Sequence, residues 1–179
     1  MRRVIGEDEF DKLFEDFERT AYRLENREEY VKDPDEAEPH AFVAFREGRP
    51  EYDWFKPWQS RIQRLTGEGK IFERVRVVSE PHSEYTRFSL DLARLNVEAG
   101  EDIRYLPRPR AQELGLPDED YWLFDSRVAL IFHYGPDGRM TQFELVDEPD
   151  VILQRNIWRD MAQHYAIPRN EYATAHNLG

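Results

Sequence analysis

The stretch at residues 71–105, IFERVRVVSEPHSEYTRFSLDLARLNVEAGEDIRY, constrains the fold more than any other part of the chain. Its first residues alternate. Ile71, Glu73, Val75 and Val77 fall on one side of an extended chain and Phe72, Arg74, Arg76 and Val78 on the other, which is the period of a strand. Ser79, Glu80 and Pro81 follow at once and predict a helix start, with Ser79 or Glu80 as cap and the proline pre-set for the first turn. Tyr85, Phe88, Leu92 and Leu95 then share one helical face, Gly100 stops the helix, and Ile103, Tyr105 and Leu106 open another strand. A strand, a helix of that length and a second strand make a crossover, so the two strands are expected as parallel neighbours in one sheet.

Upstream, Phe10, Leu13, Phe14, Phe17, Ala21, Tyr22 and Leu24 recur at three and four residues and predict one amphipathic helix across residues 7–30. Residues 31–39, VKDPDEAEP, read as a proline-broken acidic hinge, so residues 1–40 are expected as an N-terminal appendage and 41–179 as an α/β domain. Trp54, Trp58, Ile62 and Leu65 return to helical spacing, with Pro57 in the first turn and Gly67 and Gly69 past the end. Downstream of a proline-punctuated loop, YWLFD, RVALIFHY and RMTQFELV read as antiparallel strands, the last two joined at the hairpin signal Asp137-Gly138. Asp147 and Asp150 predict a capping box for a final helix that ends at Pro168, beyond which the tail has little to bury. The expectation is an α/β (α+β) domain: a mixed sheet of about five strands with a βαβ crossover and a C-terminal hairpin, flanked by helices.

Composition removes several classes of function. With 179 residues, 40% hydrophobic and 13% aromatic, the chain can build a real core. A net charge of -12 and a pI near 4.9 oppose direct nucleic-acid binding and an anionic membrane surface, since both partners demand a positive face. Cysteine is absent, which excludes disulfides, thiolate metal sites and a cysteine nucleophile. The N-terminal MRRVIGEDEF lacks the apolar segment of a signal peptide, and no run reaches the ~20 apolar residues of a membrane span, so a cytoplasmic location is expected. His40, His82, His133, His164 and His176 are scattered without helical metal-site spacing, and GEGK at residues 67–70 lacks the spacing of a phosphate loop. No catalytic residue, metal site or cofactor is assigned.

The runs RVRVVSEPHSEYTRF, AGEDIRYLPR, DYWLFDSRV and DEPDVI, with IPRNEY near the end, resemble a family found in actinobacteria, domain-of-unknown-function family 6879, over about two-thirds of the chain. Members of that family often sit beside genes for helix-turn-helix regulators. The resemblance implies a role in transcriptional regulation or signalling, by association. The order of elements is also similar, at the level of topology, to one half of a phospholipase D-like domain. Enzymes of that superfamily carry His-x-Lys followed by Asp, the imidazole attacking phosphorus while lysine neutralises its oxygens. If Asp125 stands for the aspartate, Asp118 and Asp120 stand at the histidine and lysine positions. Carboxylates there can neither attack nor clamp a phosphate, so the resemblance implies a degenerate, non-catalytic copy.

A ligand site is expected at Arg76, Glu80, Tyr85, Arg87, Arg104 and Asp125, because open α/β sheets hold ligands beyond the carboxyl ends of their strands. The alternative is that these arginines form structural ion pairs with Glu80, Glu101 and Asp125. The functional expectation is a non-enzymatic regulatory or signalling module that binds a partner protein, such as a helix-turn-helix regulator, or a small anionic ligand. A phosphate-ester enzyme and a direct nucleic-acid binder are the alternatives, the first opposed by the missing histidine and lysine and the second by the acidity.

Overall fold

The computed structural model describes residues 1–178. The crossover at its centre forms as the alternation requires: strand β3 (Ile71–Val78) leads through a helix at Glu84–Glu98 into a parallel strand at Asp102–Pro107. In chain order the other strands are β1 (Arg2–Ile5), β2 (Thr20–Glu25), β5 (Asp120–Phe124), β6 (Val128–Tyr134), β7 (Met140–Val146) and β8 (Ile167–Pro168), with Asp102–Pro107 as β4. The helices are α1 (Glu7–Asp16), α2 (Ala37–Arg46), α3 (Lys56–Gly67), α4 (Glu84–Glu98), α5 (Arg108–Glu113), α6 (Pro149–Tyr165) and α7 (Arg169–Ala175).

All eight strands join one sheet in the order β1-β7-β6-β5-β2-β3-β4-β8. Strands β2, β3 and β4 are parallel, and every other pairing is antiparallel. One face carries Tyr22, Leu24, Val75, Val77, Leu106, Tyr121, Leu123 and Ile131, and it packs against α5 and α6 through Ala111, Ile152 and Ala162. The opposite face is divided. Its β1-side half packs Phe72, Trp122, Phe124, Leu130 and Phe143 against Phe14 of α1 and Ile62 and Leu65 of α3. Its β4-side half packs Ile103 and Tyr105 under Leu90 and Ala93 of α4 and Tyr172 of α7. Between the halves, β2 and β3 present Arg23, Glu25, Arg74 and Arg76, beneath a cluster in which Tyr85 and Phe88 of α4 pack with Tyr30 and Phe42.

Several expectations are corrected. The sheet has eight strands, not about five. The helix expected across residues 7–30 stops at Asp16, and residues 20–25 form β2, paired on both sides near the middle of the sheet. Ala21, Tyr22 and Leu24 fit both a helical and an alternating pattern, and the pairings offered by β3 and β5 decide for the strand. Because β1 also pairs with β7, the N-terminal segment is woven into the sheet rather than set apart from it. The α4 cap is Ser83, whose Oγ accepts the Thr86 N–H, and not Ser79 or Glu80. Helix α6 starts without a side-chain cap; Asp147 takes the N-terminal amine of Met1 instead of closing a capping box. The tail is structured as well: Ile167 and Pro168 pair with β4, and α7 buries Arg169, Tyr172 and Ala173. Among the described residues no helix is long and apolar enough to cross a membrane.

Candidate ligand pocket

Side chains alternate along a strand, so Arg23 and Glu25 of β2 point the same way as Arg74 and Arg76 of β3. The parallel register sets Arg23 beside Arg74 and Glu25 beside Arg76. Buried charges require partners, and here they are shared along a row. The Glu25 carboxylate accepts from Arg74 Nη1 and from Arg76 Nη1, each at 3.1 Å. Arg74 Nε donates to Glu101 at 2.8 Å, and Arg23 Nη2 reaches Asp120 at 3.5 Å. Burial pushes the Glu25 carboxyl up, but the charges of Arg74, Arg76 and Arg23 outweigh it and hold the group at about 2.

Asp120 closes the row on the β5 side. It accepts the Asn26 N–H at 2.8 Å and the Tyr134 hydroxyl at 3.1 Å, and it also accepts from the Tyr30 hydroxyl. Burial, reinforced by the nearby carboxylates, raises Tyr30 and Tyr134 well above the ordinary phenol range. Both therefore stay protonated and serve as donors. Beyond the strand ends, Arg108 bonds to Glu28, Ser79 and Asn26 and to the Val77 carbonyl, which fixes the turn leaving β2 against the ends of β3 and β4.

Above this row is a cavity of about 680 Å³. Its floor is Arg23, Glu25, Arg74, Arg76 and Tyr105, with Phe132 and Tyr134 along one side. Helix α4 contributes Tyr85, Phe88 and Asn96, and Tyr30 of the segment leaving β2 and Glu38 of α2 also line it. The Arg76 guanidinium carbon lies 5.5 Å from the Tyr30 ring centre and 5.7 Å from that of Tyr85, and the Arg23 carbon lies 4.0 Å from Phe132. The rings cover the guanidinium planes but accept none of their in-plane N–H bonds. Nε and Nη1 of Arg23 and Nε and Nη2 of Arg76 are buried with no hydrogen-bond partner. Leaving a buried charged donor unmet costs on the order of 1–3 kcal/mol, so these groups mark positions where an acceptor atom is wanted.

Of the six residues expected at a site, the structure brings only Arg76 and Tyr85 into this cavity. Arg104 lies on the other face of the sheet, where it donates to Asp102 and to the Gln163 carbonyl. Arg87 is exposed on α4, and Glu80 sits past the end of β3 beside Tyr172 and His176. Asp125 is at the opposite end of the sheet, accepting the backbone N–H groups of Glu18, Arg19 and Thr20 at 2.7, 2.7 and 2.9 Å. Arg23, Glu25, Tyr30, Arg74, Asp120 and Tyr134 were missed. The signal for two of them was present: Arg23 and Glu25 alternate with Tyr22 and Leu24, a charged face opposite an apolar one.

The profile of the family described as Domain of unknown function (DUF6879) matches residues 8–174. No curated protein sequence matches the chain. In structure the chain is similar to NucT from Helicobacter pylori, at 10% identity and a TM-score of 0.50, with 94% of this chain and 97% of that one covered. It is likewise similar to Nuc from Salmonella typhimurium, a phospholipase D family member, at 7% identity and a TM-score of 0.50 over 94% and 97% of the two chains. At these identities the likeness is one of fold, which is phospholipase D-like.

Proposed function

We propose that this chain, which belongs to the family Domain of unknown function (DUF6879), is a non-catalytic regulatory module that binds a small ligand over Arg23 and Arg76. The observation that carries this reading is the set of unpartnered guanidinium N–H groups at the floor of a cavity lined with tyrosine and phenylalanine. The free Nε and Nη2 fork of Arg76, with single donors from Arg23, suits a carboxylate or phosphate, and the rings of Tyr30, Tyr85 and Phe132 suit a flat body joined to it. Tyr30 and Glu38 line the cavity, so occupancy would bear on the segment at residues 26–38 and on a surface that a partner protein can read. An acidic chain fits a basic partner, such as a helix-turn-helix regulator.

Phosphodiester hydrolysis is disfavoured: with Asp125 taken as the motif aspartate, Asp118 and Asp120 fall where that chemistry needs histidine and lysine, and Asp120 is already taken up by Asn26, Arg23 and two tyrosine hydroxyls. Phenyl phosphate is the simplest probe that combines an oxyanion with a ring. Titration calorimetry should show one site in the wild type, weakened on the order of 10-fold by Arg76→Lys, which keeps the charge but loses the fork. The same protein should leave bis(p-nitrophenyl) phosphate intact. Absence of saturable heat with both phenyl phosphate and benzoate, or equal affinity in Arg76→Lys, would defeat the reading.

A further inference from the structure

We infer that Glu80, His82 and His176 form a binding site for a divalent transition-metal ion of the zinc class, outside the ligand pocket and beyond the carboxyl end of β3. One donor atom from each residue lies within 4.8 Å of the other two. Ligand atoms around a tetrahedral zinc stand about 3.3 Å apart, as bond lengths of about 2.0–2.1 Å require. Glu80 is exposed and His82 half-buried, so rotation about their side-chain bonds can close the difference.

The orientation of His176 carries the inference furthest. Its Nδ1 lies 2.9 Å from the Tyr172 backbone carbonyl, one helical turn earlier in α7. A carbonyl only accepts, so Nδ1 must hold a proton and donate it. That leaves Nε2 facing a Glu80 carboxylate oxygen at 3.1 Å. Two electron-rich atoms do not settle face to face unless a cation lies between them, and the cation can be a proton or a metal. A backbone carbonyl holding one ring nitrogen is also the arrangement that fixes a metal-bound imidazole in its tautomer.

The remaining geometry supports the same reading. His82 Nε2 is 2.6 Å from the Tyr172 hydroxyl, which is itself 3.2 Å from Glu80. Tyr172 is fully buried, stacked on Tyr105 and against the His176 ring, so one wall of the site is rigid. Two imidazoles and one carboxylate form a donor set suited to zinc or cobalt, with a position left for water. The sequence concealed this site because its histidines are 94 positions apart (176 − 82) and meet only when α7 packs beside the end of β3.

Purified full-length protein titrated with ZnCl2 by calorimetry, and with Co²⁺ by visible absorption, tests the assignment. One equivalent should bind, and the cobalt form should show the d–d bands of a low-coordinate nitrogen and oxygen site. His82→Ala and His176→Ala should each weaken binding by at least about 100-fold, and Tyr172→Phe by about 10-fold. Glu80→Gln is solvent-facing and keeps the fold should a histidine variant fail to; it too should lose most of the affinity. Nitrogen chemical shifts of the two rings should move at one equivalent of zinc. Absence of saturable binding in the wild type, or unchanged affinity in the folded variants, would overturn the site.

Discussion

Replacing Glu25 with glutamine tests the charge row most directly. The substitution keeps size and removes the one charge shared by Arg74 and Arg76 and faced by Arg23 at 3.6 Å. In the folded chain Glu25 titrates at about 2 against an ordinary value of 4.5. Each pKa unit corresponds to about 1.4 kcal/mol, so the depression represents roughly 3 kcal/mol of stability at neutral pH. A second route agrees, because removing one partner of a buried ion pair costs about 3–5 kcal/mol. The folded pKa lies below the unfolded one, so the contribution is complete above pH 4.5 and is lost as pH falls toward 2. Urea denaturation of wild type and Glu25→Gln should therefore differ by roughly 3 kcal/mol at pH 7 and by only about 1 kcal/mol at pH 3. Subtraction cancels the other carboxylates, which titrate alike in both proteins. A difference under about 1 kcal/mol at pH 7, or one that stays constant down to pH 3, would refute the view that Glu25 holds the arginines together.

Two further substitutions probe the frame around the site. Asp125→Ala removes the acceptor of three backbone N–H bonds and places alanine at a φ of 51°, so urea denaturation should show a loss of about 3 kcal/mol. Asp125→Gly, which relieves only the backbone, should recover about 1 kcal/mol of that; full recovery would mean the hydrogen bonds are idle. Gly100→Ala would set a methyl 2.8 Å from Thr66 Oγ1 at a φ of 103°, where Thr66 bonds to the Ile62 and Ala99 carbonyls. Thermal denaturation should fall by an amount equivalent to about 2 kcal/mol, and adding Thr66→Ala should not restore it, since the backbone strain stays.

What the sequence revealed of the fold follows from how strongly each segment's local pattern excludes alternatives. Residues 71–78 alternate cleanly, with β-branched residues on the apolar face, and they form β3 as expected. The Asp137-Gly138 pair turns the hairpin with Gly138 at a φ of 81°, a value that favours glycine. The N-terminal region failed for the opposite reason. Phe10, Phe14 and Phe17 continue into Ala21 and Leu24 at helical spacing, and only pairing with strands roughly 50 and 100 residues away turns the last part into β2. The two-residue β8 has no local pattern at all, and it exists because the edge of β4 is left open.

The candidate site was half legible for the same reason. Arg76 and Tyr85 lie inside the crossover, where strand and helix could be assigned from the sequence. Arg74, Phe88, Asn96 and Tyr105 lie in it as well, whereas Arg23, Glu25, Tyr30, Phe132 and Tyr134 come from β2, the segment after it and β6, brought in by pairing at long range. A ligand pocket and a structural network of ion pairs are rival readings of the arginines; the ion pairs of Arg74 and Arg76 are observed, and the proposed ligand would use the donors they leave over. Glu25 takes one nitrogen from Arg76 and two residues share Arg74, which neutralises the row and allows it to be buried. Nη1 of Arg23 and Nε and Nη2 of Arg76 are left without acceptors, and Arg23 Nε faces Glu25 only at 3.6 Å. In the proposed binding mode a ligand oxygen would displace no ion pair, so the energy that holds β2 to β3 would be kept with or without the ligand. On this reading, loss of Glu25 destabilises the frame, whereas Arg76→Lys spares the fold and weakens only the ligand, and the two variants separate the roles.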